Sequence, residues 1–362
     1  MALSQAGAAI EDAFNRRLIP ALRARGWAPR TVGFTGYGNP DSVRVLARVL
    51  MAKEDEPAAS ADVDASSAEL EEATEAQRGW RSFLTAQVAQ LPVVVRAGEQ
   101  EIRTRTDRGG YVDLVVRDHG LPPGEHDVVI EARGARPAKA VVTVVGRDVR
   151  LGLVSDIDDT VMVTRLPRPL IAAWNTFVRH TSARQPVPGM ADLYRQILAA
   201  HPGTPVFYLS TGAWNVVPTL VRFMRSYGFP EAPMLMTDWG PTNTGWFRSG
   251  QEHKRTALRR LVIEFPDIRW VLVGDDGQHD PMIYDELARD HPEHVAAIAI
   301  RELTPAEQVL AHGTPTAQEE PAENRQGALD HAVPLVRGKD GDAIGRLLLP
   351  LLERGAGEPG AV

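Results

Sequence analysis

From residue 149 onward, short apolar runs alternate with amphipathic stretches, and this alternation limits the fold more than any other feature of the chain. The runs are "VRLGLVS" (149–155), "PVFYLS" (205–210), "APMLMT" (232–237), "IRWVLVG" (268–274) and "HVAAIAI" (294–300). Between them lie "MADLYRQILAA", "VPTLVRFMRSYG" and "HKRTALRRLVIEF", whose apolar residues recur at helical spacing. Strands apolar on both faces and linked by helices imply an α/β fold, a Rossmann-like parallel sheet with flanking helices. Such sheets keep their chemistry outside the carboxyl ends of the strands.

The preceding part of the chain has a different rhythm. Residues 92–150 hold "PVVVRAG", "QEIRTRT", "GYVDLVV", "HDVVIEA" and "AKAVVTVV", separated by "DRGG", "HGLPPGE" and "RGARP". Short β-rich runs with turn residues between them predict an antiparallel β-sandwich. "TDRGGYVDLVV" with "LPPGEHDVVIEA" resembles the prealbumin-like sandwich modules over one hairpin pair. Upstream, "TVGFTGYG" and "SVRVLARVL" read as two strands joined by "NPDS", with "GYG" (36–38) as a turn. Residues 1–28 read as helical, with Ile10, Phe14, Leu18 and Leu22 at four-residue spacing, docked on their own domain. Residues 53–78 are acidic, rich in Ala and Ser, and read as a solvated loop. The expected organisation is a helix plus β-sandwich domain over 1–148, a catalytic domain over 149–304, and a polar linker with a C-terminal helix over 305–362.

Composition narrows the function. A length of 362 residues exceeds what one core usually serves. A net charge of −7 argues against nucleic acid as a partner, because phosphate backbones require a basic face. Cysteine is absent, which removes disulfides, zinc–thiolate sites and cysteine nucleophiles. The opening "MALSQAGAAIEDAF" lacks a basic segment followed by an apolar one, so no signal peptide is expected, and the expected location is cytoplasmic.

The strand ends carry the chemistry. The first run leads into "SDIDDT", with Asp156, Asp158 and Asp159 inside four positions, followed by Thr160. Clustered carboxylates repel one another and resist desolvation, so a cation is needed to hold them together. The second run ends in Ser210, the helix before the fourth run begins near Lys254, and the fourth run leads into "GDDGQHD" with Asp275, Asp276 and Asp280. Asp159 is left out as the middle residue that turns away. Five acids (Asp156, Asp158, Asp275, Asp276 and Asp280), the Ser210 hydroxyl and Lys254 converging on one edge suggest a magnesium-centred phosphoryl-transfer site. Asp156 would attack phosphorus, forming an aspartyl-phosphate. Asp158 points to the same side of an extended chain and would serve as general acid and base. Ser210 and Lys254 would hold phosphoryl oxygens. Asp156, Asp158 and Asp275 are the expected metal ligands, with Asp276 and Asp280 behind them or orienting Lys254. Thr160, Thr211 and Gly212 are expected beside the substrate.

These residues match, in order, the four motifs of the haloacid dehalogenase superfamily: "DIDDT", "YLS", a lysine, and "GDDGQHD". The resemblance implies that superfamily's fold, with the first-motif strand central in the sheet, and Mg²⁺ dependence. A carboxylate at Asp158 favours a phosphatase, since dehalogenase relatives lack it and ion-pumping relatives carry threonine there. Over about 140–302, "VSDIDDTVMVT", "PVPGMADLY", "FYLSTGAWNVVP", "FMRSYGFP", "DWG" and "LVGDDGQHDPMIY" resemble the catalytic domain of the actin-patch type phosphatidate phosphatases and their bacterial relatives. That resemblance implies removal of phosphate from phosphatidate to give diacylglycerol. "STGAWN" departs from the family's usual Ser-Pro pair, and Asp276 stands where serine is usual. No protein partner is implied.

The segment between the first two motifs, 161–200, is about forty residues, enough for a small cap around Trp174, Phe177 and Tyr194. A small cap suits a membrane-presented substrate and permits peripheral contact. Trp214, Trp239 and Trp246 are read equally as interface or packing residues, and His253 and His279 as neighbours of the site rather than ligands. Two alternatives stand beside phosphatidate: a soluble phosphomonoester or phosphoprotein, and a non-catalytic module that binds phosphorylated ligands. An intact pair of Asp156 and Asp158 argues against the second.

Overall fold

The computed structural model describes residues 19–53, 87–163, 185–237, 250–312 and 332–355. Ile10, Phe14, Leu18, the acidic stretch from 54, Trp174, Phe177, Trp239, Trp246 and most of the expected linker lie outside the described residues. The chain forms two compact units. One comprises 1–147, 213–218 and 238–249; the other comprises 148–212, 219–237 and 250–362.

The first unit contains β1 (Trp27–Asn39), β2 (Ser42–Lys53), β3 (Pro92–Ala97), β4 (Gln100–Arg105), β5 (Tyr111–Arg117), β6 (Gly124–Ala132) and β7 (Ala138–Val144). All seven hydrogen-bond in one sheet, in the order β4-β3-β6-β7-β1-β2-β5. Pairings are antiparallel except β1 with β7, which is parallel. The expected sandwich of separate sheets is therefore one continuous sheet. Alternate residues such as Val43, Val45 and Val49 of β2, Val93 and Val95 of β3, and Val112 and Val116 of β5 share one core. Because β3 and β5 lie near opposite ends of the strand order, the sheet must curl over its own inner face to bury them together.

The "NPDS" link behaves as its composition demands, with Asn39 Oδ1 accepting from the Asp41 and Ser42 amides at 2.9 and 3.0 Å. "GYG" is not a turn. It lies within β1 beside an irregularity in register between Phe34 and Tyr37. A Cβ on Gly38 would sit 2.1 Å from Ser42 O, so glycine there serves close strand approach. Trp214, whose segment belongs to this unit, is buried and packs on Phe34 with ring centroids 4.9 Å apart.

The second unit runs β8 (Leu151–Asp156), β9 (Met162–Val163), β10 (Gln185–Pro186), α1 (Met190–Ala200), β11 (Val206–Ala213), α2 (Val217–Ser226), β12 (Met234–Thr237), α3 (Gly250–Glu264), β13 (Arg269–Asp275), α4 (Asp280–Asp290), β14 (Val295–Arg301), α5 (Pro305–His312), β15 (Leu335–Gly338) and α6 (Gly341–Gly355). Six strands form a sheet ordered β12-β11-β8-β13-β14-β15, parallel at each pairing from β11 to β15. From β8 the chain builds outward through β11 and β12, then crosses back to β13 and continues to β15. That reversal makes the ends of β8 and β13 the switch point where open parallel sheets form their crevice.

The region after 304 carries more structure than a linker. Helix α5 opens with a capping box in which Thr304 N donates to Glu307 Oε2 at 2.8 Å and Glu307 N to Thr304 Oγ1 at 3.3 Å. Strand β15 is four residues long and pairs only with β14, too short a run to stand out in the sequence. Helix α6 buries Ile344, Leu348 and Leu352, the docking face expected of its leucines. Among the described residues no helix is long and apolar enough to cross a membrane.

Candidate active site at the strand ends

Strand β8 is buried almost throughout and delivers Asp156 at its last position. The chain then turns sharply. Val161 N donates to Ile157 O at 2.9 Å, Asp159 N donates to Met162 O at 2.8 Å, and Asp159 takes a positive φ of 58°. Strand β13 delivers Asp275 in the same way, and α4 starts with Asp280. Gly274 makes room for this arrangement, since a Cβ there would come within 2.7 Å of the Asp280 Cβ.

Asp156, Asp275 and Asp280 are at most 1% exposed, and each offers an oxygen within 4.8 Å of the others. Lys254, 2% exposed, sits between two of them, its Nζ donating to Asp156 Oδ1 and to Asp280 Oδ1, both at 2.5 Å. Its neighbours on α3 go elsewhere, Arg255 and Arg259 both pairing with Glu286. Burial therefore separates the site lysine from the solvated arginines around it.

One positive charge faces three buried carboxyls. Burial pushes the Asp156 carboxyl well above the usual carboxylate range, opposed by Lys254 and reinforced by Asp280 and Asp158. Burial and the nearby charges of Asp280 and Asp156 do the same to Asp275. For Lys254, burial works against its charge, but the two carboxylates outweigh it and raise its affinity for the proton. Among the described residues, Oδ2 of Asp156, Asp275 and Asp280 is buried without a hydrogen-bond partner. Three orphaned carboxylate oxygens in one cluster, with no sulfur or imidazole among them, fit a hard divalent cation.

Asp158 is not part of this cluster of side-chain carboxylates. The turn begins at Ile157, so the extended-chain rule that would align Asp158 with Asp156 does not apply. Its Oδ2 instead accepts from Ser210 Oγ at 3.4 Å, and Ser210 Oγ accepts from Gly212 N at 3.0 Å. Asp280 lies in the cluster and, with Asp156, contacts Lys254. Asp276 turns toward β14, its Oδ1 accepting from Leu303 N at 2.8 Å and its own amide donating to Arg301 O at 3.0 Å. Thr160 is fully buried and its Oγ1 makes no hydrogen bond among the described residues.

Thr211 and Gly212 follow Ser210 within the last residues of β11, and Thr237 holds them from behind. The Thr237 hydroxyl contacts Thr211 O and lies 2.9 Å from Gly212 O. Thr237 ends β12 as Ser210 approaches the end of β11, a signal the strand-end reading could have used. Tyr194, expected near the cap, is buried on α1, its Oη 2.6 Å from Ser155 Oγ, which also contacts Asp156 O at 2.6 Å. His253 Nε2 lies 3.2 Å from Leu235 O.

Residues 151–302 match the family model of the catalytic domain of phosphatidate phosphatase APP1. That segment contains every predicted site residue. The yeast phosphatidate phosphatase APP1 from Saccharomyces cerevisiae is 26% identical over 152 residues, covering 42% of this chain and 26% of its own length. An uncharacterized protein of Schizosaccharomyces pombe is 28% identical over 162 residues, with 42% and 25% covered. The chain thus spans about a quarter of the length of these curated relatives. Among solved structures, an uncharacterized protein from Listeria monocytogenes serotype 4b shares 13% identity, 56% of this chain and 99% of its own, at a TM-score of 0.34. The resemblance to APP1-type catalytic domains holds for 151–302 and says nothing of the β-strands before it.

Proposed function

We propose that the second unit is a Mg²⁺-dependent phosphomonoesterase of haloacid dehalogenase type, acting on phosphatidate through an aspartyl-phosphate. The observation that carries this reading is the trio of buried carboxylates with unpartnered oxygens around Lys254, at the switch point of a parallel sheet. The APP1 family match supports phosphatidate as the substrate class. Asp156, Asp275 and Asp280 would hold the cation, which when bound neutralises charge on the phosphoryl oxygens. An Asp156 carboxylate oxygen attacks phosphorus, and the bond from phosphorus to the ester oxygen breaks. Asp158 gives its proton to that leaving oxygen. It then takes a proton from water, which attacks the same phosphorus, releasing inorganic phosphate and restoring Asp156. Ser210 and Lys254 orient the phosphoryl group, and Lys254 compensates its charge.

The test is phosphate release from phosphatidate in mixed micelles, compared with glycerol phosphate, with Mg²⁺ or excess chelator. Release from the lipid that stops with chelator is the expected result. Release from the soluble ester alone would retain the reaction and replace the substrate. No release from either would overturn the reading.

Stability should reveal the cation separately. An acid whose folded pKa is raised contributes stability below its unfolded value, near 4 for aspartate, and loses it as pH rises through the folded value. Asp156 and Asp275 both shift in that direction. Lys254, also raised, contributes uniformly below its ordinary value near 10.4, so it adds no slope between about pH 5 and 8. Metal-free protein is expected to weaken across that window, and the gain in Tm on adding Mg²⁺ to grow with pH. A Tm gain that stayed flat or shrank from pH 5 to 8 would remove these carboxylates from the metal site.

A further inference from the structure

Arg301 ends β14 and is 4% exposed, yet no strand-end motif singles it out. Its guanidinium reaches three separate elements. Nη1 donates to Asp159 O at 2.7 Å, Nη2 to Glu307 Oε1 at 2.7 Å, and Nε to Lys339 O at 3.3 Å. Its backbone oxygen accepts the Asp276 amide. Glu307 is itself tied down by the Thr304 hydroxyl and amide, so the counter-charge is anchored. The farthest of these contacts crosses from β14 to the turn after β8, where Asp159 holds the left-handed φ of 58° that L residues rarely adopt.

We propose that Arg301 is a positioning residue that pins the turn after the first motif in its left-handed kink and thereby fixes the direction of the neighbouring Asp158 carboxyl. The inference rests on the phosphatase reading for its catalytic consequence, but the pinning itself does not. A residue at positive φ stays there only when its surroundings hold it, and the buried hydrogen bond to Asp159 O supplies a hold that solvent cannot replace. If it is lost, the backbone at Asp159 can relax toward negative φ, which rotates the chain leading to Asp158. Lysine cannot substitute, because a single ammonium lacks the planar fork that reaches Asp159 O, Glu307 and Lys339 O together.

The effect on kcat/KM should depend on the leaving group, because that parameter reports the steps up to departure of the leaving oxygen and only a poor leaving oxygen needs the Asp158 proton. In Arg301→Ala, kcat/KM for phosphatidate in mixed micelles is expected to fall about a hundredfold, the low end of a general acid's contribution. The kcat/KM for p-nitrophenyl phosphate, whose phenolate leaves without help, should fall less than about threefold. Adding Asp159→Gly to Arg301→Ala should restore most of the loss, since glycine adopts positive φ freely. Arg301→Lys should not restore it. Equal losses on both esters, or no recovery with glycine, would overturn the proposal.

Hydrogen exchange separates this from the phosphatase reading. Arg301→Ala should speed exchange of the Asp159 and Val161 amides while those of β8 keep their protection. If wild-type protein hydrolyses neither phosphatidate nor p-nitrophenyl phosphate, the phosphatase reading fails alone; unchanged exchange at those amides then overturns the role of Arg301, and faster exchange sustains it. Should Arg301→Ala fail to fold, Glu307→Gln keeps the capping box while weakening the tether. It should give the same pattern at smaller amplitude, and wild-type exchange and turnover in that variant would overturn the proposal.

Discussion

Asp156→Asn is expected to lower Mg²⁺-dependent phosphate release by at least about 10⁴-fold, since no other group among the described site residues can replace a lost nucleophile. The fold should survive. Asparagine matches the shape of aspartate, and the substitution removes one of three carboxyls crowded around Lys254. In the metal-free state the change relieves like-charge repulsion, so the chelated variant should melt no lower than wild type. The Tm gain on adding Mg²⁺ should shrink, because one of the cation's oxygens has lost its charge. Loss of activity together with loss of folding would leave the nucleophile unassigned. Retained activity in a well-folded variant would remove Asp156 from the chemistry.

Lys254→Met should have the largest effect on stability. Methionine has nearly the length of lysine and brings no charge, so packing is conserved while Asp156 and Asp280 lose their shared cation. Breaking a buried pair typically costs about 3–5 kcal/mol because an uncompensated charge stays behind. Here two carboxylates lose one partner, and the metal-free variant should fall near the upper end of that range. The denaturation midpoint in urea at neutral pH reads this directly. Because the penalty is electrostatic, lowering the pH or adding Mg²⁺ should recover part of it. An unchanged midpoint would show that the carboxyls are already protonated and that Lys254 does not hold them together.

Much of this site is legible in the primary structure because its residues sit at fixed offsets from apolar strands. A parallel strand buried on both faces is a continuous apolar run, and the residue at its end emerges at the sheet's edge whatever helix follows. Asp156 and Asp275 follow from that rule alone, whereas Ser210 lies three residues before the end of β11. Lys254 was separable from Arg255 and Arg259 by motif order, and burial supplies the physical reason.

Other features depend on contacts between residues distant in the chain. Asp280 joins Asp156 and Asp275 while Asp276, with the same side chain and nearer the strand, turns to the Leu303 amide. That choice is made by the start of α4 and by the space that Gly274 leaves, neither of which has a distinct sequence signal. Asp158 stays apart from the carboxyls of Asp156, Asp275 and Asp280 because the chain stops being extended at Ile157. Arg301 looks like any arginine at the end of a strand until β14 is paired beside β13 and its guanidinium meets Asp159 O, 142 positions away.

The motif resemblance implies the central strand, while chain order and apolar period specify a parallel sheet and the side of it that bears acids. They do so because both properties are local, arising from the pleat of each strand and the helix that returns to the next. Which acids share a cation, whether the first unit's seven strands form one sheet or two, and what holds the turn after β8 all rest on long-range pairing. Carboxylates two or four positions apart are chemically identical in the unfolded chain. Folding distinguishes them by burying some beside Lys254 and offering others a backbone amide.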